Sequence, residues 1–324
     1  MQKISLKYLF TALLAGLLAS TAVQADTFPD RPMRMVVPFP PGGTTDVLVR
    51  MLQKQVSEAS GQPLVVDNRP GGASVIGTST VARSAPDGYT VVASDLSMLV
   101  NPSLIKDMPY DTVKDFRGVT MLARAPLLLL VNPDVPAKTL EELIALAKAK
   151  PGTINFSSGG YGTSTHMAGE MFRRAAGIDI VHVPYPGSPP AMTALVAGQV
   201  QIYFGGPTTA LSFIQSGKMR ALAITGDTPS PLLPDVPTLA SRGIKGVNAD
   251  SYWGIYAPAG TPDDVVAKLN KYYTDALRDP ELVQRAKDLG LELIGNDPAA
   301  HTAQMRQMIQ DWKDFVTQAG IKLE

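Results

Sequence analysis

The sequence has no cysteine, few histidines, no excess of either charge and no long apolar run after its first residues. With 0 Cys among 324 residues, disulfides and thiol chemistry are both excluded. His166, His182 and His301 are dispersed, without the HExxH or paired-His spacing of zinc sites. Basic and acidic residues number 29 each, so the basic footprint of a nucleic-acid-binding protein is missing. We therefore expect no metal, no cofactor and no nucleic-acid partner.

The first 25 residues have the pattern of a secretory signal peptide. Lys3 and Lys7 form a positive region, Leu9 to Ala19 an apolar region, and Val23 to Ala25 a small-x-small cleavage site. The alternative is a membrane anchor, but the apolar run is short for a span of about 20 residues. We predict that residues 1–25 are a cleaved signal peptide and that the mature chain is an exported protein.

Strand and helix patterns alternate along most of the mature chain. Strands are predicted at 33–38, 64–66, 89–94, 127–131, 154–156, 180–183, 200–204 and 221–225. Helices are predicted at 74–84, 140–150, 164–176, 189–197 and 208–216. The alternation favours parallel sheets covered by helices on both faces, and the length suggests two domains. After Thr261 the pattern becomes helical, and the last helix has one apolar stripe from Met305 to Ala319.

Two glycine-rich turns, "PFPPGGTTDVLVRML" (38–52) and "SSGGYGTSTH" (157–166), each join a strand to a helix. Neither contains the lysine that a phosphate loop requires. The dinucleotide fingerprint needs a third glycine where Thr165 stands. A serine-hydrolase elbow needs a closing glycine that the run Gly162 to His166 lacks. The residues that these three chemistries require are therefore missing.

What remains is an anion site built from the backbone. The first turn of a helix presents unpaired N–H groups and the positive end of the helix dipole, and glycine lets a ligand approach them. The alternative is that both turns are ordinary connections with capping hydroxyls at Thr44, Thr45 and Ser164. Two such loops in different halves of the chain favour binding of one carboxylate between two domains.

Seven ordered motifs across nearly the whole mature chain carry a family resemblance. They are "RPMRMVVPFPPGGTTDVLVRML", "VVDNRPGGASVIGT", "APDGYTVVAS", "NFSSGGYGTSTHMAGEMF", "VHVPYPG", "LPDVPTLASRGI" and "YWGIYAPAGTP". The chain closely resembles the Bug-type extracytoplasmic solute receptors of tripartite tricarboxylate transporters. The resemblance implies an α/β type II periplasmic-binding-protein fold, with two lobes, a ligand cleft and a two-strand hinge.

By this resemblance, lobe one comprises residues 26–122 plus 253–324, and lobe two comprises residues 123–252. The hinge strands would lie near Thr120 to Ala125 and near Ser251 to Tyr256. The implied ligand-binding set is Phe39, Pro40, Gly42, Gly43, Thr44, Ser94, Ser157, Gly159, Gly160, Tyr161, Thr163, Ser164, Tyr185, Pro207 and Thr208.

Within this set, Phe39 and Tyr161 would form walls, Tyr185 would contact the ligand from lobe two, and the glycines would let it approach the backbone. The chain departs from the family at Pro186, where Lys is usual, and at Gln201, where Asp is common. Both positions are expected near the lobe-two side of the cleft.

The resemblance implies a monomeric periplasmic solute-binding protein without catalytic activity. It would capture an organic carboxylate (a di- or tricarboxylate, an amino acid or an aromatic acid) and deliver it to membrane-embedded transporter subunits. One alternative is a ligand sensor that acts on a signalling partner. Another is an exported serine hydrolase, which would need a Ser–His hydrogen bond backed by an acid in the cleft. We expect His166 to be satisfied locally and His182 to lie in a core strand of lobe two.

Overall fold

The computed structural model describes residues 28–321, so the predicted signal peptide lies outside the described residues. The strands are β1 (Met33–Val37), β2 (Leu64–Asn68), β3 (Thr90–Ser94), β4 (Phe116–Ala125), β5 (Leu128–Val131), β6 (Ile154–Ser158), β7 (Ile180–Pro184), β8 (Ile202–Gly205), β9 (Arg220–Ile224), β10 (Ser251–Pro258) and β11 (Glu292–Leu293). No helix between residues 28 and 321 is long and apolar enough to span a bilayer.

The helices alternate with these strands in the first three quarters of the chain, as the sequence predicts. They are α1 (Thr44–Ser60), α2 (Val75–Ala82), α3 (Ser97–Leu104), α4 (Thr112–Asp115), α5 (Leu140–Ala149), α6 (Ser164–Ala176), α7 (Ser188–Val196), α8 (Pro207–Gln215), α9 (Asp263–Ala276), α10 (Pro280–Asp288) and α11 (Pro298–Ala319).

The strands form two sheets, with the orders β11-β4-β10-β3-β1-β2 and β7-β6-β8-β5-β9. We call each sheet with its helices a lobe, the first sheet belonging to lobe one and the second to lobe two. The expectation of purely parallel sheets is wrong, because β10 runs antiparallel to both β3 and β4, and β5 antiparallel to both β8 and β9. The chain leaves lobe one along β4 and returns along β10, so these neighbouring strands point in opposite directions.

The two crossings between the lobes lie side by side. The last residue of β4, Ala125, pairs with Ser251, the first residue of β10. From Ala125 the chain reaches β5 of the second sheet within three residues, at Leu128. The predicted hinge segments therefore lie on paired strands, while the exact lobe boundaries at 122/123 and 252/253 stay a prediction.

Both sheets carry apolar side chains on both faces, as predicted for sheets covered by helices. The apolar stripe of α11 packs through Met305 and Val316 on the outer face of the first sheet, beside Val36 and Tyr256. The same cluster includes Met167, a fully buried residue of α6 in lobe two. A lobe-two side chain thus packs into a lobe-one core, and the two lobes are in direct contact.

Helix α6 approaches β6 closely because one of its residues has no side chain. A Cβ atom at Gly169 would overlap the ring of Phe156, which is fully buried in the core of lobe two. The close packing of this helix matters for the cleft, because the first turn of α6 follows the glycine-rich loop 157–166.

We predict that Gly169→Ala lowers the free energy of unfolding by about 1–3 kcal/mol, the usual cost of overpacking a core. The loss should appear although alanine favours helix over glycine by about 1 kcal/mol. Gly206→Ala serves as a control without the clash, since its added Cβ would find Thr44 Oγ1 at 3.8 Å as its nearest neighbour; it should cost only the smaller loss of a glycine at the N-cap of α8. Urea denaturation of the three proteins measures both effects, and equal stabilities would contradict the packing argument.

Candidate functional site

A cavity of about 40 Å³ lies between the two lobes. It has room for a few water molecules or a small polar solute, and it is far smaller than the roughly 300–1,000 Å³ of drug-sized sites. Its walls come from the carboxyl ends of strands in both sheets, the usual position of ligand sites in α/β proteins. From the predicted set, the residues that line it are Phe39, Pro40, Gly43, Thr44, Gly159, Thr163 and Ser164.

The first turns of four helices meet at this cavity. Thr44 begins α1, Ser164 begins α6 and Ser188 begins α7, while Gly206 is the N-cap of α8. All four residues line the cavity. The first N–H groups of a helix have no partner within it, so α1 and α6 direct unpaired donors and the positive ends of their dipoles at this space. In α7 and α8 the first turns contain Pro189, Pro190 and Pro207, which have no N–H, so these helices contribute mainly the positive ends of their dipoles. The cavity is therefore suited to an anion.

The loop before α6 leaves a specific set of donors free. Thr163 caps the helix: its backbone oxygen accepts from the N–H groups of His166 and Met167, each at 3.0 Å. Among the described residues, the N–H groups of Ser164 and Thr165 find no hydrogen-bond partner. The Ser164 hydroxyl is also unpaired, although the residue is only 2% exposed. A buried hydroxyl without a partner, on the wall of a cavity, indicates a place for a ligand oxygen.

The charge of the cavity wall is unusual for an anion site. Within the part of the chain that the structure describes, no Lys, Arg or His lines the cavity, and the one ionisable group is Asp95. Its Oδ1 accepts a 2.8 Å hydrogen bond from the Ser97 N–H. The side chain is partly exposed to the cavity and otherwise enclosed, and this burial raises its pKa to about 6 against the opposing effect of the Ser97 hydrogen bonds.

Several predicted residues do not line this cavity: Gly42, Ser94, Ser157, Gly160, Tyr161, Tyr185, Pro207 and Thr208. The loop glycine Gly160 is needed for another reason, since its φ is 117° and its N–H donates to Ser158 Oγ at 3.1 Å. Its role is therefore to shape the turn, and its N–H is already paired. The Tyr161 ring packs edge-on against His166 and His182 and forms no wall of the cavity.

Other predicted residues that do not line the cavity have partners inside the protein. The Ser157 hydroxyl donates to Ala191 O at 3.1 Å, and Tyr185 packs in an apolar cluster of lobe two. Thr208 Oγ1 donates to Leu289 O in lobe one at 3.0 Å, so this side chain joins the lobes. Ser94 is buried beside the cavity-lining Asp95 but outside the cavity wall.

The sequence reading missed a further group of lining residues: Thr45, Asp95, Leu127, Thr165, Ser188, Pro189, Gly206, Thr209, Ser251 and Trp253. Thr45 and Thr165 lie next to the predicted residues Thr44 and Ser164 in the first turns of α1 and α6. Their sequence positions would therefore have sufficed to predict them as lining residues. Ser251 and Trp253 lie at the start of β10. They reach the cavity only because β10 inserts between β3 and β4, a pairing that no local pattern specifies.

The two departures from the family pattern lie in different places. The expectation for Gln201 is wrong, because it stands before β8, at the opposite end from the cavity-lining Gly206. Its Oε1 accepts a 2.9 Å hydrogen bond from the N–H of Asn155, so the side chain links two strands. Pro186 is exposed, and the next residue, Gly187, packs against Pro40 of lobe one.

A Ser–His pair does exist in lobe two, between Ser158 Oγ and His182 Nε2 at 2.6 Å. Ser158 is fully buried, and its hydroxyl also bonds the backbone of Gly160. In the described chain no carboxylate is hydrogen-bonded to His182, which lies on β7 and stacks on Phe156 and His166. This pair is part of the packing of lobe two. The hydrolase alternative would instead need a histidine hydrogen-bonded to a serine in the cleft, such as Ser164.

Comparisons with known proteins agree with this architecture. A family model described as "Tripartite tricarboxylate transporter family receptor" matches residues 48–321. The chain is 37% identical over 323 residues to Protein BugT of Bordetella pertussis, covering 97% of this chain and 99% of that protein. The match confirms the resemblance read from the sequence motifs.

Two solved structures of similar proteins were determined with carboxylates. Rpa4515 of R. palustris, with adipate, has a TM-score of 0.88 and 32% identity over 91% of this chain and 100% of its own. MatC from Rhodopseudomonas palustris, with bound malate, has a TM-score of 0.85 and 31% identity over 89% of this chain and 100% of its own. These likenesses confirm the predicted periplasmic-binding-protein fold.

The stacked histidines of lobe two should make stability depend on pH. Burial and the neighbouring His166 lower the pKa of His182 to about 3. A depressed histidine pKa means that stability is complete above the unfolded value of about 6.5 and is lost as the pH falls below it. Removing this one group, as in His182→Phe, should therefore reduce the loss of stability between pH 7 and 5 by about 2 kcal/mol.

Chemical denaturation of both proteins at the two pH values gives this difference, because all other titrating groups are common to them. Parallel pH profiles would show that His182 titrates normally in the folded protein.

Asp95 should destabilise the unliganded fold near neutral pH. A raised carboxyl pKa means that the ionised form is disfavoured in the folded state, so stability increases as the pH falls from about 6 towards 4. Asp95→Asn keeps an oxygen for the Ser97 N–H and removes the charge, and it should stabilise the protein at pH 7 by about 1–3 kcal/mol. The gain should vanish near pH 4. Denaturation at both pH values tests this, and a destabilised variant at pH 7 would contradict it.

Proposed function

The chain belongs to the tripartite tricarboxylate transporter receptor family, and on this premise we propose that it captures a small organic carboxylate in the cleft between its lobes. The observation that carries the proposal is the meeting of four helix N-termini around one cavity, beside the buried and unpaired Ser164 hydroxyl. Similar proteins solved with adipate and with malate support the same ligand class.

The ligand carboxylate lies against the first turn of α6. Its oxygens accept hydrogen bonds from the N–H groups of Ser164 and Thr165 and from the Ser164 hydroxyl, with the first turn of α1 on the opposite wall at Thr44. These donors are neutral, and the helix dipoles supply the favourable field. The carboxylate itself is therefore held by neutral donors, without a salt bridge to a cationic side chain.

Opening and closing of the two lobes controls access to the ligand. Pro40 of lobe one packs against Gly187 of lobe two, where an added Cβ would come within 2.7 Å of Pro40 Cδ. The Thr208–Leu289 hydrogen bond and the burial of Met167 in lobe one add contacts across the cleft. All of these contacts must separate before a ligand can enter. The paired crossings at Ala125 and Ser251 are the hinge about which they separate.

In this proposal the protein works in the periplasm as a monomer and delivers its ligand to membrane-embedded transporter subunits. The family to which the chain belongs supports the partnership, and the cavity between the lobes supports capture. The same capture would serve a sensor with a signalling partner. Ligand uptake by cells that lack either the receptor or the membrane subunits separates the two roles, because only a transport receptor is required for uptake.

The unpaired hydroxyl provides a test of the binding site. With a ligand found by a thermal-shift screen of carboxylates, Ser164→Ala should weaken binding by about 0.5–1.5 kcal/mol, the contribution of one neutral hydrogen bond. Ser94→Ala is the matched control: Ser94 is also buried with an unpaired hydroxyl, but it does not line the cavity. Calorimetry should show unchanged affinity in this control. An effect of Ser94→Ala alone would place the carboxylate elsewhere.

A further inference from the structure

Among the described residues, Asp95 is the one lining residue whose charge opposes an anionic ligand. It follows β3 directly and precedes α3, at the same carboxyl edge of the first sheet as the glycine-rich turn after β1. The lining residues around it supply hydrogen-bond donors and apolar surface, and none of them, within residues 28–321, is a cation. The site thus combines a set of donors for a carboxylate with a single strong acceptor.

Nothing in the described protein neutralises this acceptor. The Ser97 N–H donates to its Oδ1 at 2.8 Å, and the Ser97 hydroxyl and the Asp95 backbone N–H also favour the ionised carboxylate, but these neutral donors do not cancel its charge. The charge of Asp95 acts on the hydroxyls of Tyr203 on β8 and Tyr256 on β10, both buried, and helps to raise their pKa values. Their own pKa values are raised by burial, so both phenols stay neutral and provide no charge to pair with Asp95.

A ligand that carried only carboxylate groups would place a second negative charge next to Asp95 in a cavity of about 40 Å³. Two like charges at such short range disfavour each other, and a cation close to a buried carboxylate favours its ionised form. A ligand with an ammonium group removes the conflict. Its carboxylate meets the helix N-termini, and its ammonium meets Asp95.

We infer that Asp95 binds the ammonium group of the ligand, and that the protein is a receptor for small amino acids or similar zwitterions in preference to the corresponding plain carboxylic acids. This inference rests on the proposed function, since it assigns the second half of the same ligand. The apolar walls at Phe39, Leu127 and Trp253, together with the small cavity, fit a ligand with a short carbon chain.

The test compares pairs of acids that differ only in the amino group: aspartate with succinate, glutamate with glutarate, and alanine with propionate. Calorimetry on the purified protein at pH 7.5 should show, for at least one pair, binding of the amino acid at least about tenfold tighter than binding of its partner, equivalent to about 1.4 kcal/mol. In Asp95→Asn the preference should disappear or reverse. Asp264→Asn, which removes an exposed acid on α9, should leave it unchanged.

The parent protein alone provides a second test, which does not depend on the variant. As the pH falls from 7.5 to 6, Asp95 takes up a proton while the ligand carboxylates stay largely ionised, so affinity for the amino acid should fall and affinity for the plain dicarboxylate should rise. The other titratable groups near the cavity stay neutral over this range: Tyr203 and Tyr256 remain protonated, and burial lowers the pKa of His166 to about 4. The opposite trends for the two ligand types therefore report on Asp95.

The outcomes separate this inference from the proposed function. If plain carboxylates bind more tightly than their amino partners, and Asp95→Asn leaves the ratio unchanged, the ammonium assignment is overturned while carboxylate capture stands. The ammonium assignment is likewise overturned if malate binds more tightly than both aspartate and succinate. If no carboxylate of either type binds, the proposed function itself fails, and the inference fails with it.

Discussion

The unpaired N–H groups in the first turns of helices determine where this protein has its candidate binding site. Each helix begins with N–H groups that its own backbone cannot pair, and a folded chain must leave them to water, to a cap or to a ligand. Here the first turns of α1, α6, α7 and α8 all face one small space between the lobes. They do so because each of these helices follows the carboxyl end of a parallel strand. The position of the site is thus a property of the backbone, and the side chains decide what it accepts.

This origin explains which parts of the site could be predicted from sequence. Thr44, Thr163 and Ser164 were found because they occupy first-turn positions after glycine-rich loops, and such positions are fixed by local chain order. Trp253 is not predicted because it reaches the cavity through the placement of β10 between β3 and β4, which depends on residues far apart in the chain. Asp95 directly follows β3, but no glycine-rich turn marks its position in the sequence. Gly160 was assigned to ligand contact, whereas its positive φ is a requirement of the turn itself.

The same contrast holds for the fold. Strand and helix alternation predicted the two covered sheets, but not the antiparallel strands beside the crossings, since a strand pattern carries no direction.

The cleft also lacks the usual balance of charge. Its positive character comes from backbone dipoles, and among residues 28–321 its one charged side chain is negative, so both polarities border one small space. Such an arrangement distinguishes ligands by the distribution of charge along them more than by their total charge.

The insertion of lobe two within lobe one has a consequence for how the chain acquires its structure. β10 occupies the middle of the first sheet, between β4 and β3, yet it follows the whole of lobe two in sequence. The strands of lobe two are contiguous in the chain and can pair as soon as they are available. The first sheet, in contrast, stays split into two pieces until β10 itself, Ser251–Pro258, arrives, and joining them is a long-range step of the kind that slows folding. A chain that emerges from its N-terminus would therefore complete its second lobe before its first.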